Sequence, residues 1–286
     1  MLATSRRRLG SSNLEVSPLS VGSWMTFEFL PRETGAAILE AARASGINFL
    51  DDARYDDHSG KAPMKTGYSE VVFGEIFRAS GWPREEAVVA NKLWWEFWPR
   101  ESALDEVNSS LGRMGFDYLD LIYANPPPEG LPVPEMVEAV GGLLSAGKAR
   151  AWAIVNWRAD QLAEAVDAAA RLGLPMPCAA QLPYSLIQRS WVEDPEMVEV
   201  LHRGGTAVVA SNSLAGGALT GKYLAPGATG RVADRRDLPW VGKAMEVAPL
   251  IVSMAERLQT TPAALALAFT LTNPQVVSTL FGATSP

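Results

Sequence analysis

"DLIYANPPPEG", residues 120–130, opens as a buried strand: Leu121-Ile122-Tyr123-Ala124 is a continuous apolar run, and Asn125 ends it before three prolines. Proline lacks the N–H that a sheet ladder needs, so the strand stops with a bare amide at its mouth. Similar short runs rich in β-branched residues recur along the chain, at Leu19–Gly22, Asn48–Asp51, Ala87–Lys92, Leu119–Ala124, Ala151–Asn156, Ala179–Leu182, Ala207–Ser211 and Val276–Phe281. Amphipathic, helical patterns separate them near Glu33–Ser45, Ser69–Ser80, Glu101–Met114, Pro134–Ala146, Asp160–Leu172 and Pro195–Arg203, with the pair Met245–Leu258 and Pro262–Thr272 before the last run.

Strands alternating with helices predict βαβ units around a parallel sheet. Because crossovers are right-handed and a closed sheet has no edges, eight such units favour an α/β fold of the (β/α)8 TIM-barrel type over an open sheet. The expectation is one barrel domain over residues 1–286. Ahead of the first barrel strand, "RRRLGSSNLEVS" (residues 6–17) places two short runs around a Gly-Ser-Ser-Asn turn, which suggests a β-hairpin capping the barrel bottom.

Composition sets the broad class. The 286 residues are 48% hydrophobic and 20% charged, as expected of a globular protein with a full core. A net charge of −7 argues against a general nucleic-acid or anionic-membrane binder, whose partners need a basic face. Arginines crowd Met1–Arg8 without an apolar segment behind them, and no run of about 18 apolar residues occurs, so no membrane insertion is expected and the reading is cytoplasmic. One cysteine, Cys178, cannot form an internal disulfide, and two histidines, His58 and His202, cannot build a His-rich metal site.

In a (β/α)8 barrel, chemistry collects at the C-terminal ends of the strands. Those ends carry Trp24, Asp51, Lys92, Asn125, Asn156, Gln181 and Ser211, with Tyr55 just beyond the second strand. Asp51 and Lys92 can form an ion pair there, either as a plain barrel-mouth salt bridge or as part of a catalytic group. An ammonium beside Tyr55 is expected to lower the phenol's pKa from about 10 and so to make a proton donor.

Over nearly its whole length the chain resembles the aldo-keto reductases, and within them the branch containing the voltage-gated potassium channel β-subunits. The stretches "GINFLDDARY", "SEVVFGEIFRASGWPREEAVVANKLWW", "DYLDLIYANPPP", "PYSLIQR" and "SLAGGALTGKY" carry the resemblance, in family order and spacing. It implies hydride transfer from NADPH to an aldehyde or ketone without a metal, with Asp51 and Lys92 in the catalytic set and Tyr55 as proton donor. Asn125 stands where most of the family has histidine. An amide can orient a carbonyl but cannot titrate, so a general acid contribution of roughly 10²–10⁴-fold falls on Tyr55.

This tyrosine follows Asp51 by four residues where the family has five, and Tyr68, after the loop "DDHSGKAPMKTG", is the alternative donor. The resemblance further implies a cofactor site made by Trp24, Asn156, Gln181, Ser211, Asn212, Leu214 and Gly216, with Lys222 and Arg231 adding charge toward phosphate. Val155 replaces the serine usual before the asparagine, Ser211 the usual aromatic platform for the nicotinamide, and the chain stops at "FGATSP". From "KLWWEFWP", Trp94, Trp95 and Trp98 with Trp24 suggest an apolar wall for a bulky or aromatic carbonyl substrate. Two other classes stay open: a regulatory subunit with little turnover, resembling the channel β-subunits, and a cofactor-free lyase or isomerase using Asp51, Tyr55 and Lys92. Substrate identity and homo-oligomer formation are left open.

Overall fold

The computed structural model describes residues 5–286; the start of the Met1–Arg8 stretch lies outside the described residues. Strands β1 (Arg7–Arg8) and β2 (Glu15–Val16) pair antiparallel, Arg7 opposite Val16. This is the expected hairpin. It seals the barrel at its N-terminal end: Leu9 and Val16 are fully buried against barrel residues such as Phe49 and Leu121, and Arg7 Nη1 donates to the Val276 carbonyl. Gly10 makes this packing possible. Its φ is +53°, and a Cβ there would lie 1.9 Å from the Cys178 carbonyl oxygen and 2.6 Å from that of Gly205.

Eight parallel strands then close into a barrel: β3 (Leu19–Gly22), β4 (Phe49–Asp51), β5 (Val88–Leu93), β6 (Leu119–Ala124), β7 (Ala149–Val155), β8 (Ala179–Pro183), β9 (Ala207–Ser211) and β10 (Val276–Phe281), with β10 back beside β3. Around it run α1 (Arg32–Ala44), α2 (Tyr68–Ala79), α3 (Ala103–Met114), α4 (Val133–Ser145), α5 (Ala159–Leu172), the short α6 (Ser190–Glu193), α7 (Pro195–Gly204), α8 (Pro239–Arg257) and α9 (Pro262–Thr270). Among the described residues no helix is long and apolar enough to cross a membrane. The α/β (β/α)8 reading holds, and the strand ends differ from the expected ones by only a few residues.

The largest difference is α8, which starts six residues before the expected Met245. Pro239 occupies its first turn, where a missing N–H costs nothing, while Pro249 sits inside without ending the helix. Helix ends are otherwise marked by local chemistry. Ser102 and Asp105 form a reciprocal capping box at the start of α3, and Gly115 closes that helix at φ +71°.

Alternation along each strand sorts side chains into two layers. Phe49, Val88, Ala90, Leu121, Tyr123, Ala153, Val155 and Val209 fill the barrel interior. Val89, Ile122, Trp152, Ile154 and Val208 face the helices. Continuing the inner parity to the C-terminal ends puts Asp51, Lys92, Asn125, Gln181 and Ser211 at the mouth.

Candidate active site

At the end of β5, the Lys92 Nζ donates to Asp51 Oδ2 at 2.6 Å and to the Tyr55 hydroxyl at 3.0 Å, with the Asp52 carbonyl at 3.3 Å. The Lys92 and Asp51 side chains are 5% and 3% exposed, so water does little to screen the pair. Asp51 Oδ1 accepts from Gln181 Nε2 at 3.1 Å, which uses both carboxylate oxygens. Tyr123, wholly buried below, offers its ring face 5.8 Å from the ammonium.

Tyr55 reaches Lys92 because the chain turns sharply after β4. The Tyr55 N–H bonds both the Ala53 carbonyl (2.8 Å) and Ser69 Oγ (3.0 Å), and Ser69 Oγ in turn donates to Ala53 O. The long loop closes behind it, Asp57 N donating to Lys65 O and Gly67 N to Tyr55 O. A position four residues after Asp51 is therefore compatible with the group. Tyr68 is elsewhere, at the start of α2, accepting a hydrogen bond from Arg32.

The pKa expectation for Tyr55 is corrected. Burial outweighs the attraction of Lys92, and the phenol's pKa moves above its ordinary value rather than below. Asp51 adds to the rise, since its charge disfavours a phenolate. For Lys92, burial opposes the charge, but Asp51 and then Tyr55 more than offset it, and the ammonium is held above its usual range. Near neutral pH the site thus holds an ammonium and an intact phenol.

The remaining expected residues are spread around this centre. Asn125 is half-buried and spends one N–H on the Leu93 carbonyl at 3.0 Å, which leaves the other for a ligand. Asn156 is exposed, in a left-handed conformation (φ 58°), its own N–H on Gln181 O. Ser211 is half-buried and its carbonyl accepts from Tyr184 N.

After β9 the backbone makes a run of left-handed residues, Asn212, Ala215, Gly216 and Gly217. Among the described residues the N–H groups of Ser213 and Leu214 there have no hydrogen-bond acceptor. Lys222 is exposed and its stem crosses Gly217, where a Cβ would lie 2.7 Å from Lys222 Cε. Free amides, a glycine cradle and an ammonium form a donor set that fits a pyrophosphate. Arg231 is differently employed: Nη2 donates to the carbonyls of Trp24 (2.6 Å) and Met25 (3.2 Å), and the guanidinium lies 5.0 Å from the Trp24 ring centre.

The aromatic wall is narrower than the sequence suggests. Trp24, 46% exposed, and Trp94 flank Tyr55, with ring centres 6.1 and 6.0 Å from it. Trp95 turns into the layer between barrel and helices, and Trp98 packs against the same layer. Cys178 and His202 take the bland roles: the thiol is buried, with its pKa pushed up to about 12 by burial, and the imidazole is exposed in the last turn of α7. His58 is exposed in the loop after Tyr55.

Sequence reading missed three buried polar groups beside this centre, Asp52, Arg54 and Glu106. Inward parity could have found Tyr123; nothing local marks Glu106 in the first turn of α3.

A profile of the aldo/keto reductase family matches residues 18–286. The chain belongs to this family. Its general kind of chemistry is oxidoreduction, and its members generally use a nicotinamide dinucleotide. Among similar proteins are a "probable voltage-gated potassium channel subunit beta" of Oryza sativa subsp. japonica, 32% identical over 297 residues, covering 97% of this chain and 87% of the rice protein. One of the same name from Arabidopsis thaliana is 30% identical over 293 residues, with the same coverage.

Proposed function

We propose that this aldo/keto reductase reduces the carbonyl of a bulky or aromatic aldehyde or ketone with NADPH. The observation that carries the reading is the position of Lys92 Nζ, between Asp51 and the Tyr55 hydroxyl, at a mouth walled by Trp24 and Trp94. The cofactor would be held by Asn156, Gln181 and Ser211 near its nicotinamide and by the Ser213–Gly217 backbone with Lys222 near its phosphates. When bound, it supplies the hydride that reaches the carbonyl carbon.

The chain's own residues handle the oxygen. Asn125 donates its free N–H to the carbonyl and fixes its direction. Tyr55 gives its phenolic proton to the oxygen as the carbon–oxygen double bond is reduced, so an alcohol and a phenolate result. Lys92 hydrogen-bonds the developing phenolate, and Asp51 keeps Lys92 charged for this purpose. Its raised pKa makes Tyr55 hold its proton until a basic oxygen arrives.

The names of the rice and Arabidopsis relatives favour a second reading, a regulatory barrel that binds nucleotide with little turnover; Ser211, in place of a stacking ring, is compatible with it. NADPH titration followed by fluorescence, with NADH as control, and one turnover with aromatic aldehydes decide between them. The reductase reading expects binding, oxidation of bound NADPH on aldehyde addition, and loss of that step in Tyr55→Phe with binding kept. Binding without oxidation supports the regulatory subunit. No binding at millimolar nucleotide refutes both and leaves cofactor-free proton chemistry at Asp51, Tyr55 and Lys92.

A further inference from the structure

Two adjacent tryptophans after β5 point to different places, Trp94 to the site and Trp95 into the core, and one carboxylate sits beneath the point where they part. Glu106, 6% exposed on α3, accepts the Trp94 N–H on Oε1 at 2.6 Å and the Trp95 N–H on Oε2 at 3.1 Å. Trp95 itself is left-handed (φ 62°). Among the described residues the indole N–H groups of both have no partner, so the ring nitrogens anchor neither side chain.

Arg54 joins this grip to the other side of the site. It immediately precedes Tyr55, its side chain is 5% exposed, and its Nη2 lies 3.0 Å from Glu96 and 3.7 Å from Glu106. Its guanidinium covers the Phe97 ring at 5.0 Å. One buried cation in the loop after β4 therefore faces two carboxylates that bracket the loop after β5. A buried ion pair of this kind adds little net stability over apolar packing.

We propose that Glu106, backed by Arg54, is a positioning residue that sets substrate specificity: it holds Trp94 as the wall opposite Trp24 and so selects planar aromatic carbonyls over small aliphatic ones. This inference rests on the reductase reading, so its test carries a readout independent of turnover.

Glu106→Ala and Glu106→Gln are compared with the full wild-type chain. Hydrogen exchange at the Trp94 and Trp95 amides should speed up by about tenfold or more in Glu106→Ala, with β5 and α3 amides unchanged. With NADPH, the KM for 1-naphthaldehyde should rise about tenfold, the size of one lost hydrogen bond to a charged group. Turnover number and the KM for propanal should stay within about twofold in this Trp94-specific picture. Glu106→Gln, which keeps one acceptor oxygen, should recover part of both effects, and it serves alone if the alanine variant does not fold.

Unchanged exchange at the two amides overturns the proposal. Equal rises in both KM values, or a fall in turnover number instead, also overturn it. If the wild type reduces no aldehyde, the reductase reading fails by itself. Equilibrium binding of 1-naphthaldehyde against propanal, followed by tryptophan fluorescence, then decides the positioning role: selective loss of the aromatic ligand supports it and equal loss refutes it.

Discussion

Asp52→Asn asks whether a buried carboxyl one residue from the reacting group is charged. Asp52 has no solvent exposure, its Oδ1 accepts the Ser23 hydroxyl, and its Oδ2 has no partner among the described residues. Every neighbouring carboxylate already has a cation: Asp51 has Lys92, Glu70 has Arg113 and Glu106 has Arg54. Burial first, then the Glu70 carboxylate, push the Asp52 pKa well above the ordinary value, against the hydrogen bonds from Ser23 and Ala53 and the pull of Lys92. An acid with a raised folded pKa binds its proton more tightly when folded. Its contribution is fully present below the unfolded value of about 3.9 and is lost as pH rises toward the folded value, at up to about 1.4 kcal/mol per pH unit. An asparagine at this place presents an NH2 where the acid has its O–H and does not titrate. Stability of Asp52→Asn relative to wild type should therefore climb as pH rises above about 3.9, at up to about 1.4 kcal/mol per unit. Urea unfolding at pH 5, 6, 7 and 8 at one ionic strength measures this. A difference that stays flat, or that turns against the variant as pH rises, would refute the neutral carboxyl.

Asp51→Asn leaves the Lys92 ammonium buried beside a neutral amide. Removing one partner of such a pair should cost about 3–5 kcal/mol in denaturant unfolding. It should also lower the Tyr55 pKa, because Asp51 no longer raises it and Lys92 acts unopposed, which ultraviolet titration of the phenolate reads. An unchanged phenol titration would mean that Asp51 does not shield Tyr55. Gly10→Ala forces a side chain onto the Cys178 and Gly205 carbonyls at positive φ, and should destabilise by at least about 2 kcal/mol. A loss below about 0.5 kcal/mol, the usual size for a surface change, would show that the hairpin does not seal the barrel.

The barrel and the site centre were legible because each rests on a strong local signal. Apolar runs broken by Gly, Pro and Asn mark eight strands, and a parallel barrel brings their ends together whatever the helices do. Asp51 and Lys92 end adjacent strands on the inner parity, so their meeting follows from order alone. What escaped depends on distance in space. Tyr55's pKa direction turns on how completely Asp51 neutralises Lys92 and how deeply the phenol is buried, and neither is written in the spacing. The wall of four rings contracts to Trp24 and Trp94 because Trp95 and Trp98 pack into the layer between barrel and helices, and the carboxylate that takes the Trp95 amide is Glu106, eleven residues along the chain. Arg231 looks like a phosphate ligand in sequence, and only the folded loop reveals the carbonyls of Trp24 and Met25 that occupy it.

Those two latches divide the mouth between them. Arg231 holds the Trp24 side from the loop after β9, while Glu106 and Arg54 hold the Trp94 side from α3 and the loop after β4. Lys92, Asp51 and Tyr55 lie between, joined by their own hydrogen bonds, with the Tyr55 ring against both walls. The hydrogen bonds at Lys92 and the latches that hold the walls are thus two sets of contacts that share the Tyr55 ring. Substitutions at Glu106 should accordingly change which carbonyl fits, and substitutions at Asp51 should change what happens to its oxygen. In Asn125 the two sets meet: its backbone N–H and one side-chain N–H both rest on Leu93, the last residue of β5 before the Trp94 loop, and its remaining N–H is the one the proposed reaction gives to the carbonyl. An amide suits that junction, since it keeps one hydrogen-bonding state at every pH, while in the proposed reaction Tyr55 gives up the proton.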